Sequence, residues 1–185
     1  QRLSYVGELG YELYVEKKDA KKIYELLVEK GKDFNLSNCG MHAMDIMRME
    51  SGFLHWGHDI SPEENQYQAG LSFTISQKKG VDFIGKQALE KIKKEKISNR
   101  FAMFTLKESE PGKPLLLHDE PIYIDDKIIG RSTSGNYSFN FKKNLVFGYI
   151  NNDLSNDELQ SKNLFIEVEK KKYRISIQLE PLKRT

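Results

Sequence analysis

A glycine-rich segment that ends in a carboxylate is the first feature of the sequence that could do chemistry. Residues 5–12 read Tyr-Val-Gly-Glu-Leu-Gly-Tyr-Glu, and Gly7 and Gly10 would let the backbone turn and approach a ligand closely. Glu12 lies on a predicted strand, where its carboxylate could accept two hydrogen bonds from the edge of an amino-pyrimidinone ring. The alternative is a hairpin with a surface glutamate. A strand rather than a helix follows the glycines, so the pattern is not typical of a dinucleotide site.

Two histidines and an aspartate lie close together in residues 55–59, His-Trp-Gly-His-Asp. A metal site needs three or four ligands held by further partners, and the other histidines, His42 and His118, lack motif spacing. The spacing therefore favours a loop in which Trp56 packs and the polar groups bind backbone. We predict no metal ligands in this chain.

Three further polar features have mainly structural interpretations. Arg48 and Glu50 interrupt a methionine-rich run and are predicted to form buried ion pairs. Residues 130–135, Gly-Arg-Ser-Thr-Ser-Gly, suit a turn between strands or a ligand-facing loop, and the turn is favoured. Cys39 has only His42 nearby as a base, which is thin support for a nucleophile.

The overall composition is that of a folded domain. Of 185 residues, 38% are hydrophobic and 30% charged, with a net charge of +2 from 29 basic and 27 acidic side chains. This balance gives no reason to expect nucleic-acid binding. The single cysteine excludes an internal disulfide and fits a reducing compartment. No apolar run approaches the roughly 20 residues that a membrane span needs.

Hydrophobic periodicity predicts a mixed first half and an all-strand second half. The first half contains a strand at 11–15, a helix from Asp19 to Gly31, a helix at 39–52 capped by Asn38, a short strand at 73–75, and a third helix opened by residues 82–86. The charged segment 91–96 suggests a domain boundary near 97. Because the chain begins without Met and runs almost at once into strand-like sequence, we expect it to start inside a larger protein.

Six short segments after the boundary alternate like strands: 101–106, 121–124, 127–129, 145–150, 164–168 and 173–179. Tight turns are predicted at Asp125-Asp126 and at residues 170–172. This pattern is typical of a small antiparallel barrel or sandwich.

Four segments, in this order, resemble the glycine-cleavage T-protein (aminomethyltransferase) family. They are residues 4–13, residues 40–53 with Arg-Met-Glu-Ser-Gly at 48–52, residues 82–89, and Thr-Ser-Gly at 133–135. Residues 55–59 and 120–123 are similar to the folate domain of dimethylglycine and sarcosine dehydrogenases, a branch in which a flavin domain precedes the folate domain.

The resemblance implies an α+β fold. Residues 1–97 would be the C-terminal portion of the folate-binding core, and residues 98–185 the small C-terminal antiparallel β-barrel. Tyr5 resembles the tyrosine that lines the folate pocket, and Glu12 the glutamate that bonds the pteridine ring. The catalytic acidic residue of the family would lie upstream of Gln1, so no catalytic residue is expected here. Met44 replaces an arginine that contacts folate in T-proteins, a departure compatible with the dehydrogenase branch.

The implied function is tetrahydrofolate-dependent transfer of a one-carbon group from a small N-methyl amine or an aminomethyl donor. FAD would be present only if the larger protein carries an upstream flavin domain. We expect this segment alone to be inactive and to need the N-terminal part of the same protein. The expected compartment is a bacterial cytoplasm or a mitochondrial matrix, without nucleic-acid or membrane partners. The alternatives are a non-catalytic regulatory or scaffold member of the fold, or a tetrahydrofolate-dependent demethylase.

Overall fold

A closed six-stranded antiparallel barrel forms the second half of the chain. The structure, a computed structural model, describes residues 1–76, 80 and 82–182. The strands are β1 (Asn99–Leu106), β2 (Pro121–Ile124), β3 (Lys127–Ser138), β4 (Lys143–Asn151), β5 (Leu164–Val168) and β6 (Lys171–Gln178). Around the barrel they are ordered β1-β4-β3-β2-β5-β6, and β6 pairs with β1 to close it. The prediction of an α+β fold with a small antiparallel barrel is confirmed.

The barrel forms because alternate residues of its strands are apolar and point inward. In β5, Leu164, Ile166 and Val168 are buried while the residues between them are partly exposed. Ile122 and Ile150 join them in a core cluster that is nearly inaccessible to solvent. A short helix, α4 (Asn156–Ser161), adds Leu159 to this cluster, and a capping box between Ser155 and Glu158 starts it. The periodicity of the strands did not predict this helix.

The segment 130–135, predicted as a turn, is instead the middle of the long strand β3. Gly130 is needed there for close packing, since a side chain at this position would collide with the backbone oxygen of Tyr149 on β4. A bulge between Ser132 and Ser134 also bends the strand. The predicted turn at Asp125-Asp126 is confirmed, whereas the second turn lies at Glu169 and Lys170, slightly before its predicted place.

Three helices occupy the first half: α1 (Lys17–Gly31), α2 (Met41–Glu50) and α3 (Lys86–Lys94). Helix α1 ends at Gly31 as predicted, but it begins before Asp19, which lies in its first turn. Helix α2 starts at Met41 after Gly40 rather than at Cys39. The side chain of Asn38, predicted to cap α2, donates instead to the hydroxyl of Tyr24 at 2.8 Å.

Two predicted strands of the first half are absent. Residues 11–15 have irregular structure and are exposed, and their backbone is paired with the chain start only through Glu12 and Gln1. Residues 72–74 form a 3-10 helix where a strand was predicted at 73–75. Alternating apolar residues form a strand only beside a partner strand, and the described residues supply none at these places.

Replacing Ile166 by Ala should lower the free energy of unfolding of the barrel by about 2–5 kcal/mol, because it removes buried methylene groups and leaves a cavity. Urea denaturation followed by circular dichroism would measure it. The control is Ile128→Ala on β3, where the side chain is exposed and a change within about 0.5 kcal/mol is expected. Equal effects at the two positions would contradict the assigned core.

Candidate functional site

The C-terminal end of α2 is buried against the barrel. Arg48, Met49 and Glu50 are consecutive and almost fully inaccessible, and α2 packs on β3 and β4. Met49 belongs to a small apolar cluster with Leu145 and Phe147 of β4. A charged residue on either side of this methionine therefore enters the protein interior, where each charge needs polar partners.

Arg48 has partners on three parts of the structure. Its Nε donates to Asp45 Oδ1 one turn earlier at 2.8 Å, and its Nη2 donates to Ser134 Oγ on β3 at 2.8 Å. Its Nη1 donates to the backbone oxygen of Phe53 at 3.1 Å and forms an ion pair with Asp59. The predicted buried ion pair of Arg48 is confirmed, and it joins α2, the loop after it and the barrel.

Asp59 is buried and completes this network. Besides Arg48, it accepts hydrogen bonds from the hydroxyls of Thr133 and Ser134 and from the backbone N–H of His55 at 2.9 Å. A carboxylate with so many donors is not available as a metal ligand. Within residues 1–76, 80 and 82–182, no group of three or more His, Cys, Asp or Glu side chains is arranged to hold a metal ion.

Glu50 makes a second connection between α2 and the barrel. It accepts hydrogen bonds from the hydroxyl of Ser138, at the end of β3, and from Asn140 Nδ2 at 2.8 Å. Together with Arg48 it connects α2 to two points of the same strand and fixes the helix on the barrel surface.

A cavity of about 350 Å³ lies at this junction, which we call the seam cavity. Its wall combines residues of α2, of the loop 53–60, of β3 and of the loop before β2. All four histidines of the chain belong to it. Its lining residues are Tyr5, Met41, His42, Met44, Asp45, Arg48, His55, His58, Leu115, Leu116, Leu117, His118, Thr133, Ser134, Gly135 and Asn136.

Tyr5, a predicted cofactor-binding residue, is part of the wall of the seam cavity. Its hydroxyl donates to the backbone oxygen of Leu54 at 2.6 Å. Its ring stacks on Phe53 with 6.1 Å between centroids and meets His55 edge-on. Burial is the main cause that raises the pKa of the Tyr5 phenol, so the group stays uncharged at neutral pH. The ring is thus a fixed, neutral aromatic surface.

Glu12, the other predicted cofactor-binding residue, lies outside the seam cavity. Its backbone pairs with Gln1, and its carboxylate accepts a hydrogen bond from the exposed hydroxyl of Tyr14. The structure does not bring Glu12 and Tyr5 to one cavity wall. The role of Glu12 in cofactor binding stays a prediction. Cys39 is exposed.

Several residues of the seam cavity could not be predicted from the sequence, because their contacts join positions that are far apart in the chain. Asp45 accepts from Asn136 Nδ2 on β3 at 3.1 Å, and Thr133 reaches Asp59 across 74 positions. His118, which has no motif spacing, enters the cavity on the loop that precedes β2. Its sequence signal is the adjacent Asp119, which pairs with its ring.

The two largest cavities of the described residues contain neither Tyr5 nor a histidine. One, of about 590 Å³, lies along α3 and is lined by Phe83, Leu89 and several lysines. The other, of about 550 Å³, lies at the ends of β1 and β6 and is mainly apolar. The seam cavity is smaller, but it alone among the three combines an aromatic wall, buried ions and titratable groups, as ligand sites commonly do.

The fold and the site define an α+β protein whose ligand-sized cavity is shared between a helix and a closed barrel. Residues 1–79 match the family described as the GCVT N-terminal domain, and residues 99–183 match the glycine cleavage T-protein C-terminal barrel domain. The chain belongs to the glycine cleavage T-protein family, and the resemblance seen in the sequence motifs is confirmed.

Known relatives include enzymes of two kinds. The chain is 35% identical over 181 residues to the mitochondrial dimethylglycine dehydrogenase of Rattus norvegicus, matching 98% of this chain and 20% of that protein. It is 34% identical over 149 residues to an aminomethyltransferase of Symbiobacterium thermophilum, matching 80% of this chain and 39% of that protein. The chain therefore spans from about a fifth to two-fifths of the length of these relatives.

The fold agrees with a solved structure. Aminomethyltransferase T from Bartonella henselae superposes with a TM-score of 0.82 and 23% identity, over 99% of this chain and 49% of that one. Among the residues that the structure describes, no helix is long and apolar enough to cross a membrane.

Replacing Asp59 by Asn should destabilise the protein by about 3–5 kcal/mol, because Arg48 would be left buried without its main counter-charge. The midpoint and slope of urea denaturation would measure this loss. Asp153→Asn is the control, since its ion pair with Lys96 is exposed and its removal should leave the midpoint unchanged. A stable Asp59→Asn variant would show that the network is not needed to hold α2 on the barrel.

Proposed function

We propose that this chain forms the second half of a tetrahydrofolate-binding unit that transfers one-carbon groups. One observation carries the proposal. Tyr5, the residue that the family resemblance assigns to the folate pocket, lies in the wall of the seam cavity next to the buried network of Arg48 and Asp59. The residue that the resemblance assigns to the folate pocket and a cavity of ligand size thus lie at the same place.

The chemistry of the seam cavity suits a flat heterocycle with polar edges. Tyr5 offers an uncharged aromatic face, and Met44 a polarisable thioether. Asn136 of β3 and Asp45 of α2, which bond each other, add hydrogen-bonding groups to the wall. A volume of about 350 Å³ lies at the small end of the usual range for ligand sites and can take part of the cofactor rather than all of it.

The remaining surface of the site would come from residues outside this chain. The apolar side chains Ile23, Leu26 and Leu27 recur at helical spacing on α1, yet no residue of α1 is buried and Leu26 is 51% exposed. We infer that segments of a longer polypeptide cover this helix and supply the catalytic acidic group. The chain alone would then be inactive, with residues 1–97 and 98–185 as its two units.

The donor in this proposal is a small N-methyl amine, as the name of the dimethylglycine dehydrogenase relative suggests. Met44, in place of a folate-contacting arginine, fits that branch of the family. A flavin domain upstream, with FAD, would oxidise the amine to an iminium. Tetrahydrofolate supplies the nitrogen atoms that accept the one-carbon group. The residues of this chain position tetrahydrofolate and exclude water. Holding the reacting groups in the correct orientation accelerates the transfer. The expected compartment is the cytoplasm or the mitochondrial matrix.

The test is to titrate the full-length polypeptide with tetrahydrofolate and to measure binding by the quenching of Trp56 fluorescence. Trp56 is the only tryptophan of this segment, and any tryptophans outside it would be replaced. Trp56 is exposed between two histidines of the cavity wall. Tyr5→Leu should weaken binding by about 0.5–1.5 kcal/mol through loss of the aromatic face. Tyr123→Leu on β2, outside the seam cavity, is the control and should bind as the wild type does. Absence of saturable binding in the wild type would contradict the proposal.

Glu12→Gln tests the second assigned residue in the same titration. If the carboxylate bonds the pteridine ring, the exchange should weaken tetrahydrofolate binding by about 1.5–3 kcal/mol, the usual strength of a hydrogen bond to a charged group. Tyr14→Phe removes the hydroxyl that now donates to Glu12 and separates the effect of that bond. An affinity unchanged in Glu12→Gln would exclude this role and leave Tyr5 as the contact from this segment.

A further inference from the structure

The inner part of the seam cavity is polar. Arg48 and Ser134 are buried there, and Asp45 and Asn136 are partly buried and bond each other at 3.1 Å. Among the lining residues that the structure describes, Arg48 is the only lysine or arginine, and it is neutralised by Asp45 and Asp59. This part of the cavity therefore suits a ligand portion that has hydrogen-bonding edges and no net charge.

The opening of the same cavity is apolar. Three of its lining side chains are largely exposed, namely Met41 at 70%, Leu115 at 63% and Leu117 at 60%. A side chain that lines a cavity and is also exposed to solvent lies at the opening of that cavity. We call Met41, Leu115 and Leu117 the apolar rim.

Two separate elements supply the apolar rim. Met41 is the first residue of α2, and the two leucines belong to the loop between β1 and β2. Single exposed apolar side chains are ordinary on protein surfaces. Three that converge on one cavity opening form instead a continuous apolar surface, and such surfaces commonly contact a ligand or a partner.

The leucines of the apolar rim are held in place by the residue between them. Leu116 is buried in the core cluster of the barrel and packs against Gly135 of β3, where any side chain would collide with it. The backbone N–H of Leu117 also donates to Glu120 Oε1 at 2.7 Å. Because Leu116 points into the core, Leu115 and Leu117 on either side of it are directed outward. The rim is thus preorganised, which lowers the entropic cost of binding.

We propose that the apolar rim binds the aminobenzoyl ring of tetrahydrofolate, the aromatic ring that follows the heterocycle. This inference rests on the proposed function. The cavity of about 350 Å³ takes only part of the cofactor, so the portion attached to the heterocycle leaves through the opening and passes the rim. That portion is a flat, uncharged ring, and leucine and methionine side chains bind such a ring by apolar and sulfur–aromatic contacts.

The first test compares two ligands in calorimetric titrations of the full-length polypeptide. Tetrahydrofolate carries the aminobenzoyl ring, whereas 6-methyltetrahydropterin has the heterocycle alone. Leu117→Ala and Met41→Ala should each weaken tetrahydrofolate binding about fivefold, because they remove apolar surface that the ring covers, and should leave 6-methyltetrahydropterin binding unchanged. Titration at about pH 8, where an ordinary imidazole is uncharged, keeps the histidines of the wall from adding charge effects.

Matched variants separate the ring contact from a general disturbance. Ile128→Ala removes a side chain of similar exposure, 56%, from β3 outside the seam cavity and should bind both ligands as the wild type does. Met41→Leu and Leu117→Met keep the apolar volume of the rim and should retain the affinity for tetrahydrofolate. Alanine variants of the rim that weaken both ligands equally, or that weaken neither, would overturn the proposal.

A second readout does not depend on affinity. In the full-length polypeptide labelled with ¹³C-methyl methionine, the Met41 resonance is identified by its loss in Met41→Leu. Saturating tetrahydrofolate should shift this resonance upfield through the ring current of the aminobenzoyl group, whereas 6-methyltetrahydropterin should not. The methyl group of Met103, which lies outside the seam cavity, should keep its position. An unmoved Met41 resonance at saturation with tetrahydrofolate would also overturn the proposal.

The outcomes distinguish this inference from the proposed function. If tetrahydrofolate binds but the rim variants behave as Ile128→Ala does, the inference fails and the proposed function stands. If the alanine variants instead lower the midpoint of urea denaturation and leave both affinities unchanged, another segment of the longer polypeptide covers the rim, and the inference fails as well. If tetrahydrofolate does not bind the wild type, both fail.

Discussion

The buried guanidinium of Arg48 is the constraint on which the rest of the site depends. A charge in the protein interior is tolerated only when every donor finds an acceptor, and Arg48 finds them on α2, on the following loop and on β3. Asp59, which neutralises it, is itself fixed by Thr133 and Ser134. The helix and the barrel therefore cannot shift relative to each other without exposing an unpaired charge, and the seam cavity keeps its shape for the same reason.

This network also decides what the cavity can offer a ligand. Arg48 and Asp59 are occupied by each other and by hydroxyl groups, so neither is available for catalysis or for a metal. The groups left to face the cavity include an aromatic ring, two thioethers and four imidazoles. Such a surface is suited to hold an uncharged heterocycle by contact. The buried charges thus give the cavity its rigidity.

The barrel could be predicted from the sequence because its strands are paired with each other inside the chain. Each alternating segment, such as 164–168, finds its partner among the other five strands, so local pattern and final structure agree. Residues 11–15 alternate equally well, but no described strand lies beside them, and they remain irregular. Gly130 favoured the prediction of a turn because glycine readily adopts positive φ. In the structure, its lack of a side chain instead lets the backbone of β4 pack closely against it.

The candidate site was predictable only where a single residue carried the information. Tyr5 was found through the family motif, and the buried pairing of Arg48 through its apolar neighbours. His118 was not, because its place in the cavity wall depends on the left-handed turn of Asp119 and on bonds from the same loop to β3 that no spacing rule describes. A histidine followed by an aspartate is ordinarily a surface pair. What distinguishes this one is that hydrogen bonds to β3 fix both residues beside a cavity, where His118 forms part of the wall.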